Sequence, residues 1–140
     1  CMDSYWQDKA ATSQALQGGW LHTGDIGRLD DSGYLYIVDR VKDMILSGGE
    51  NVASREVEEV LRGHPAVADC AVIGQPDPRW GERVCAVLVL RDETSDASLD
   101  QHCRKFIAGY KTPRRWFRVD NLPLNASGKV DKPALRRRFE

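Results

Sequence analysis

Three polar clusters carry residue types that could do chemistry, and each falls where the surrounding pattern calls for a loop, the usual seat of binding and catalytic groups. The first is Trp20-Leu21-His22-Thr23-Gly24-Asp25. A carboxylate at a strand start can accept two hydrogen bonds from a vicinal diol such as a ribose, although an aspartate after glycine is as readily a turn or a cap. The second is Asp39-Arg40-Val41-Lys42-Asp43, just ahead of Ser47-Gly48-Gly49-Glu50. Alternating charge between a strand and a glycine loop reads either as a solvated turn or as a hinge, where a few element-terminal residues absorb a large backbone rotation. No Gly-Lys-Ser/Thr follows these glycines and no GxGxxG occurs, so neither common phosphate loop is spelled out. The third cluster is Leu122-Pro123-Leu124-Asn125-Ala126-Ser127-Gly128-Lys129. A lysine on a polar glycine loop can simply aid solubility. It can also act as a mobile point charge that neutralises phosphate or carboxylate oxygens during transfer chemistry.

The elements that must hold these clusters follow from patterning. Residues 1–17 are polar, lack a strand period, and are expected to be a surface segment of something larger. Asp25–Leu29 and Tyr34–Val38 alternate as strands about the Asp30-Asp31-Ser32-Gly33 turn, which predicts a hairpin. A first helix is expected from Ser54 as cap, with Val57, Val60 and Leu61 on one face, Glu58 and Arg62 on the wet side, and Gly63 and Pro65 as stops. Val67–Ile73 reads as a strand broken by Gln75-Pro76-Asp77-Pro78, and the unbroken apolar run Val84–Leu90 suits a strand covered on both faces. A second helix is expected to open at Ser98 with Gln101 in a capping box, and to carry the stripe Leu99, Cys103, Phe106, Ile107, Tyr110 as far as Pro113. Trp116–Val119 reads as a short strand, and Pro133–Phe139 as a last turn or two of helix. The expected fold is α+β: a β-hairpin followed by a small domain of about three strands packed with two to three helices.

Composition narrows the class. With 140 residues, 41% apolar and 29% charged, the chain suits a small globular domain, and it has no run near the ~18 apolar residues of a membrane span. A formal net charge of −1 disfavours a nucleic-acid partner, and Arg136-Arg137-Arg138 reads as a solvated face. Cys1, Cys70, Cys85 and Cys103 form no CxxC pair, so no metal site is expected and a reducing, cytoplasmic setting is the simplest. His22, His64 and His102 are isolated and are not expected to serve as ligands or bases.

Taken in order, the clusters closely resemble the later core motifs of the adenylate-forming superfamily: acyl- and aryl-CoA synthetases, luciferases and peptide-synthetase adenylation domains. Met2–Trp6 with Ala11-Thr12 looks like the tail of the large N-terminal domain, Trp20–Asp25 matches W-x-x-T-G-D, Gly33–Glu58 matches the hinge and the start of the C-terminal domain, and Pro123–Lys129 matches P-x-x-x-S-G-K. The resemblance implies residues 1–38 as the end of the N-terminal domain with its linking hairpin, 39–43 as the hinge, and 44–140 as the C-terminal lid. It implies a carboxylic acid, Mg-ATP and coenzyme A as reactants: an acyl-adenylate forms with loss of pyrophosphate, and a thiol then displaces AMP. Position by position, Asp25 would bind the ribose hydroxyls, Arg40 the ribose or phosphate, and Lys42 would be the hinge residue. Lys129 would bridge carboxylate and phosphate oxygens in the adenylation step. Ser47, Gly48 and Gly49 would line the pantetheine entry, Trp80 would stack on the CoA adenine, and Tyr110 and Lys111 would touch the CoA nucleotide. Thr112 stands where at least one branch has arginine. The phosphate loop, the metal-binding carboxylate and the acyl pocket belong to the N-terminal domain, so these residues alone are expected to be inactive.

Three alternative readings compete with a CoA ligase. A peptide-synthetase adenylation domain usually has aspartate at the hinge, where this chain has Lys42, and runs on into a carrier domain. A non-catalytic interaction module would have no need of Asp25, Arg40 and Lys129 together. A luciferase-like oxidase is disfavoured because Phe139-Glu140 is no peroxisomal signal. The Ser-Gly-Gly-Glu-Asn loop looks most like fatty- and aryl-acid branches, while the acid itself and the oligomeric state stay open.

Overall fold

The computed structural model describes residues 2–139 and divides into two compact units, Cys1–Lys42 and Asp43–Glu140. In the first unit the expected polar surface segment contains a short helix, α1 (Lys9–Ala15), which Asp8 caps: its Oδ1 accepts the Ala11 N–H at 2.8 Å. Strands β1 (Asp25–Leu29) and β2 (Leu35–Arg40) then form the expected antiparallel hairpin. Its turn is set by Asp30, whose Oδ1 accepts the N–H groups of Ser32 and Tyr34, both at 2.9 Å. The register slips between Ile26 and Gly27, a bulge that still leaves Asp25 opposite Arg40. Asp39 alone is buried among this unit's described residues, while Trp6 and Trp20 are 88% and 78% exposed.

The second unit has a complete core. Strands β3 (Met44–Ser47), β4 (Glu50–Ala53), β5 (Val67–Asp77), β6 (Gly81–Leu90) and β7 (Arg115–Arg118) form one sheet in the order β4-β3-β6-β5, with β7 parallel to β6. Helices α2 (Ser54–Arg62), α3 (Asp96–Phe106) and α4 (Lys132–Phe139) complete it. The two-residue period of β5 and β6 sends side chains to both faces. Val72, Val84, Ala86 and Leu88 pack with Val57 and Leu61 of α2 and Leu99 and Cys103 of α3. Ala71, Ile73, Cys85 and Val87 pack with Leu135 of α4. Two-sided cover is what the unbroken Val84–Leu90 run predicts.

The α+β class is as expected, and the local differences have identifiable causes. Ser47-Gly48-Gly49-Glu50 is a tight hairpin turn that adds β3 and β4 to the expected strands; φ values of 63° and 84° at Gly48 and Gly49 give the turn that matches strand twist. Pro76 lies inside β5 and does not break it, because β5 is an edge strand whose outer side needs no N–H. Ser54 does not cap α2; Ala53 occupies that position, and the Ser54 hydroxyl is held instead by Lys132. Helix α3 opens at Asp96 behind the Ser95 cap, two residues ahead of the expected start. It ends at Phe106, which is exposed, so Phe106 and Tyr110 leave the expected apolar stripe. Glu58 is not on the wet side but buried, for a reason that bears on the site.

Candidate functional site

The Lys129 loop is built to hold a backbone still while leaving a charge at its tip. Leu124 and Val130 bridge its legs, and the Asn125 N–H donates to the Lys129 carbonyl at 2.8 Å. The Asn125 side chain fills the turn: its Oδ1 accepts from the N–H of Ser127 at 2.9 Å, the Ser127 hydroxyl at 2.7 Å and the N–H of Lys129 at 3.1 Å. Gly128, at φ 76°, makes the left-handed step. Residues 124–129 are exposed, and among the described residues no carboxylate pairs with the Lys129 ammonium. Asp131 closes the loop onto α4, donating its N–H to the Pro123 carbonyl at 2.8 Å and accepting the Ala134 N–H at 2.9 Å.

In the first unit the hairpin register places Asp25 beside Arg40, with Arg40 Nε 3.4 Å from Asp25 Oδ1 and both side chains partly exposed. Thr23 Oγ1 accepts the Asp25 N–H at 3.1 Å and fixes the strand start. A carboxylate and a guanidinium side by side can take a diol and an anion together. Asp39 turns inward and accepts the Arg40 N–H at 2.8 Å.

A third cluster in the second unit gathers residues from distant stretches. The Gly48 N–H donates to the Trp80 carbonyl at 2.8 Å, and the indole lies so close that a Cβ on Gly48 would meet Trp80 Cε3 at 2.9 Å. Arg79 and Arg114 place their guanidinium carbons 4.8 and 4.4 Å from the Trp80 ring centre. Such a cation-flanked aromatic beside a bare backbone turn suits a flat, anionic ligand. Trp80 is held by Asp77, whose Oδ1 accepts the N–H groups of Arg79 at 2.9 Å and Trp80 at 3.0 Å. Those bonds, that from Arg79 first, keep the Asp77 carboxyl below its usual range against the opposing effect of burial. Ser47 joins the cluster as a buried residue rather than a displayed hydroxyl.

The other expected CoA contacts are arranged differently. Lys111 donates to both Glu56 oxygens at 2.7 Å, so its charge is engaged by α2, with the Tyr110 ring 5.9 Å away. Thr112 is 2% exposed and lies inside the fold. Lys42 sits in the single turn of tight helix Val41–Asp43 at the boundary between the units. Asp77 and Arg79 have one legible signal in the sequence, the Asp-Pro-Arg-Trp turn, and Arg114 has none. No motif marks Lys132 either. Among the described residues no three His, Cys, Asp or Glu side chains converge as metal ligands. No helix among them is long and apolar enough to cross a membrane.

An α+β unit that presents a lysine on a locked loop, preceded in the chain by a hairpin with an acid–base pair, defines the class of C-terminal domains found in adenylate-forming ligases. Residues 56–129 match the AMP-binding enzyme C-terminal domain, and the chain belongs to that family. It is 45% identical over 139 residues to a long-chain-fatty-acid–CoA ligase of Mycobacterium tuberculosis, covering 99% of this chain and 28% of that protein. It is 48% identical over 140 residues to a feruloyl-CoA synthase of Amycolatopsis, again covering 99% and 28%. The o-succinylbenzoate CoA synthetase of Bacillus subtilis, solved with its acyl-adenylate intermediate, superposes with a TM-score of 0.90 at 45% identity, covering 99% of this chain and 28% of that one. The chain thus spans about 28% of the length of these relatives.

Proposed function

We propose that this chain is the C-terminal part of an AMP-forming acyl-CoA ligase, an acid–thiol ligase that activates a carboxylic acid with ATP and passes the acyl group to coenzyme A. The observation that carries the reading is Lys129: an ammonium with no carboxylate partner among the described residues, on a loop whose backbone is locked by Asn125. A fixed positive charge aimed where phosphate and carboxylate oxygens gain charge stabilises the adenylation transition state more than the ground state. Asp25 and Arg40 take the ribose and phosphate of the same adenylate. The Gly48–Trp80 cluster, with Arg79 and Arg114, faces the thiol half-reaction, and Lys42 is the hinge about which residues 44–140 turn between the two. Tyr110 and Lys111 border the CoA nucleotide, Lys111 after exchanging its Glu56 partner.

The exposed apolar residues of the first unit, Trp6, Trp20, Leu29, Tyr34 and Leu35 among them, support its packing against the rest of a larger N-terminal domain. The acyl pocket, the triphosphate loop and any Mg2+ ligands then lie on that domain. The acid is of the fatty or aryl class, in line with the relatives named above, and the free buried thiols of Cys70, Cys85 and Cys103 suit the cytoplasm.

The test is Lys129→Ala in the full-length enzyme. Loss of one preorganised charge is expected to slow carboxylate-dependent pyrophosphate exchange by ~10²–10³-fold, as for a lost oxyanion donor. Thioester formation from supplied acyl-adenylate is expected to stay near the parent rate. Equal loss in both half-reactions would refute the assigned role.

A further inference from the structure

Glu58 is a carboxylate within a mostly apolar layer, 8% exposed, and everything around it has been arranged to hold it. Its Oε1 accepts the Val72 N–H of β5 at 2.9 Å and lies 2.8 Å from Lys132 Nζ, while its Oε2 lies 3.7 Å from Arg62. Lys132 is as enclosed as its partner: its ammonium also donates to the Ser54 hydroxyl at 2.7 Å, and its side chain is 14% exposed. Lys132 is the first residue of α4 and follows Lys129 by three positions.

We infer that Lys132 is a positioning residue for Lys129: through its buried pair with Glu58 it fixes the carboxyl-side leg of the catalytic loop to α2 and β5. The inference rests on the adenylation role proposed for Lys129. The loop's own hydrogen bonds, centred on Asn125, set its shape but tie it to nothing outside itself. Its attachment to the domain depends on the legs. On the amino side these are Leu122 and Pro123, and on the carboxyl side Val130, Asp131 and then Lys132. Leu122 and Val130 pack by non-directional apolar contact, which tolerates sliding. The Lys132–Glu58 pair is charged, hydrogen-bonded and enclosed, so it has one geometry. Lys132 is three residues, at most ~10 Å of chain, from Lys129. The stretch between is tied across the loop by the Leu124–Val130 bridge and the Asp131 N–H bond to the Pro123 carbonyl at 2.8 Å, so a shift of the Lys132 backbone displaces the leg that carries Lys129.

Burying this pair is not the simplest way to stabilise a helix contact, because apolar residues of similar volume commonly do as well or better. A directional link beside the catalytic loop has a use that an apolar contact lacks: a misplacement of ~1 Å at a reacting group costs on the order of 10²-fold in rate.

The decisive variant in the full-length enzyme is Lys132→Met combined with Glu58→Gln. It removes both charges, leaves neither ion buried without its partner, and keeps an acceptor for Val72 N–H. Expected are a retained far-UV CD spectrum, adenylation kcat lower by ~10–100-fold with KM for ATP and acid changed less than about threefold, and an unchanged thioester step. Hydrogen exchange at residues 125–131 should quicken, and Lys132→Arg, which can still pair with Glu58, should recover most of the adenylation rate. Parent-like adenylation in the double variant would overturn the inference, as would equal loss of both half-reactions alongside lost folding signal, since the pair would then only hold the domain together. Lys129→Ala is run in parallel. If it spares adenylation, the proposed function itself falls; if it abolishes adenylation selectively while the double variant does not, only the positioning role falls.

Discussion

Replacing Gly48 by alanine, with Gly49→Ala as its partner, separates backbone strain from steric contact at the Trp80 cluster. Both glycines have left-handed backbone, with φ of 63° and 84°. A Cβ in that region costs ~1–2 kcal/mol at either position. Only at Gly48 does the new carbon collide, at 2.9 Å from Trp80 Cε3 and 3.2 Å from Cζ3, whereas around Gly49 nothing lies within 4 Å. The indole cannot swing away without losing its contacts with Arg79 and Arg114, and the Gly48 N–H bond to the Trp80 backbone carbonyl keeps the two backbones from parting. Over-packing against such a held ring adds about 1–3 kcal/mol. Gly48→Ala is therefore expected to cost about 1–3 kcal/mol more than Gly49→Ala.

Urea unfolding of the 140-residue chain by far-UV CD measures this difference, and a melt should show a Tm gap of about 3–4 °C for each kcal/mol. In a Trp80→Ala background the two substitutions should converge. Equal costs in the parent chain, or a gap that survives loss of the indole, would refute the packing argument. If the cluster serves the thiol half-reaction as proposed, the same change in the full-length enzyme should raise KM for coenzyme A and leave pyrophosphate exchange unaltered.

The other predictions concern titration and thiols. His64 accepts the Ala66 N–H at Nδ1, 3.2 Å away, so Nε2 carries the proton toward Ser98 Oγ; burial first, and then the neighbouring His102, hold its pKa below 6.5. A native pKa below the unfolded value means that the stability from neutral His64 is complete above about pH 6.5 and declines as pH falls below it. Urea midpoints between pH 7.5 and 5.5 should thus drop more steeply for the parent than for His64→Gln, and parallel slopes would contradict this. Burial pushes the thiols of Cys70 up to about 12 and of Cys85 and Cys103 to about 11. In a Cys1→Ser background, a disulfide reagent at pH 8 should label none of the three before unfolding; prompt labelling of any one would show its burial to be incomplete.

Patterning made the fold legible where one physical effect dominates. The Val84–Leu90 run, the Asp30–Gly33 turn and the Val57–Leu61 face each depend on local spacing, and each element formed. Pro76 and Glu58 depart from the local pattern because tertiary placement decides them: an edge strand excuses the proline, and Lys132, distant in sequence, makes the buried carboxylate tenable. The site divides in the same way. Asp25 and Arg40 become neighbours through a hairpin that local rules predict. The gathering of Gly48, Trp80 and Arg114 depends on three separate strand and loop junctions, which no period in the sequence encodes.

The charges at 39–43 gain meaning from which unit each one serves. Arg40 pairs with Asp25 inside the first unit at 3.4 Å, and Asp43 pairs with Arg136 inside the second at 3.1 Å. The boundary between units falls between Lys42 and Asp43, so a rotation would be absorbed by the φ and ψ of Val41 and Lys42, between residues anchored on either side. Arg136 lies one helical turn beyond Lys132 on α4. Helix α4 is thereby tied at its first residue to Glu58 and a turn later to the residue that leaves the proposed hinge. Under the proposed rotation, the loop bearing Lys129 would then move as one body with residue 43, and a turn at Lys42 would carry that ammonium toward or away from the adenylate without reshaping the loop that presents it.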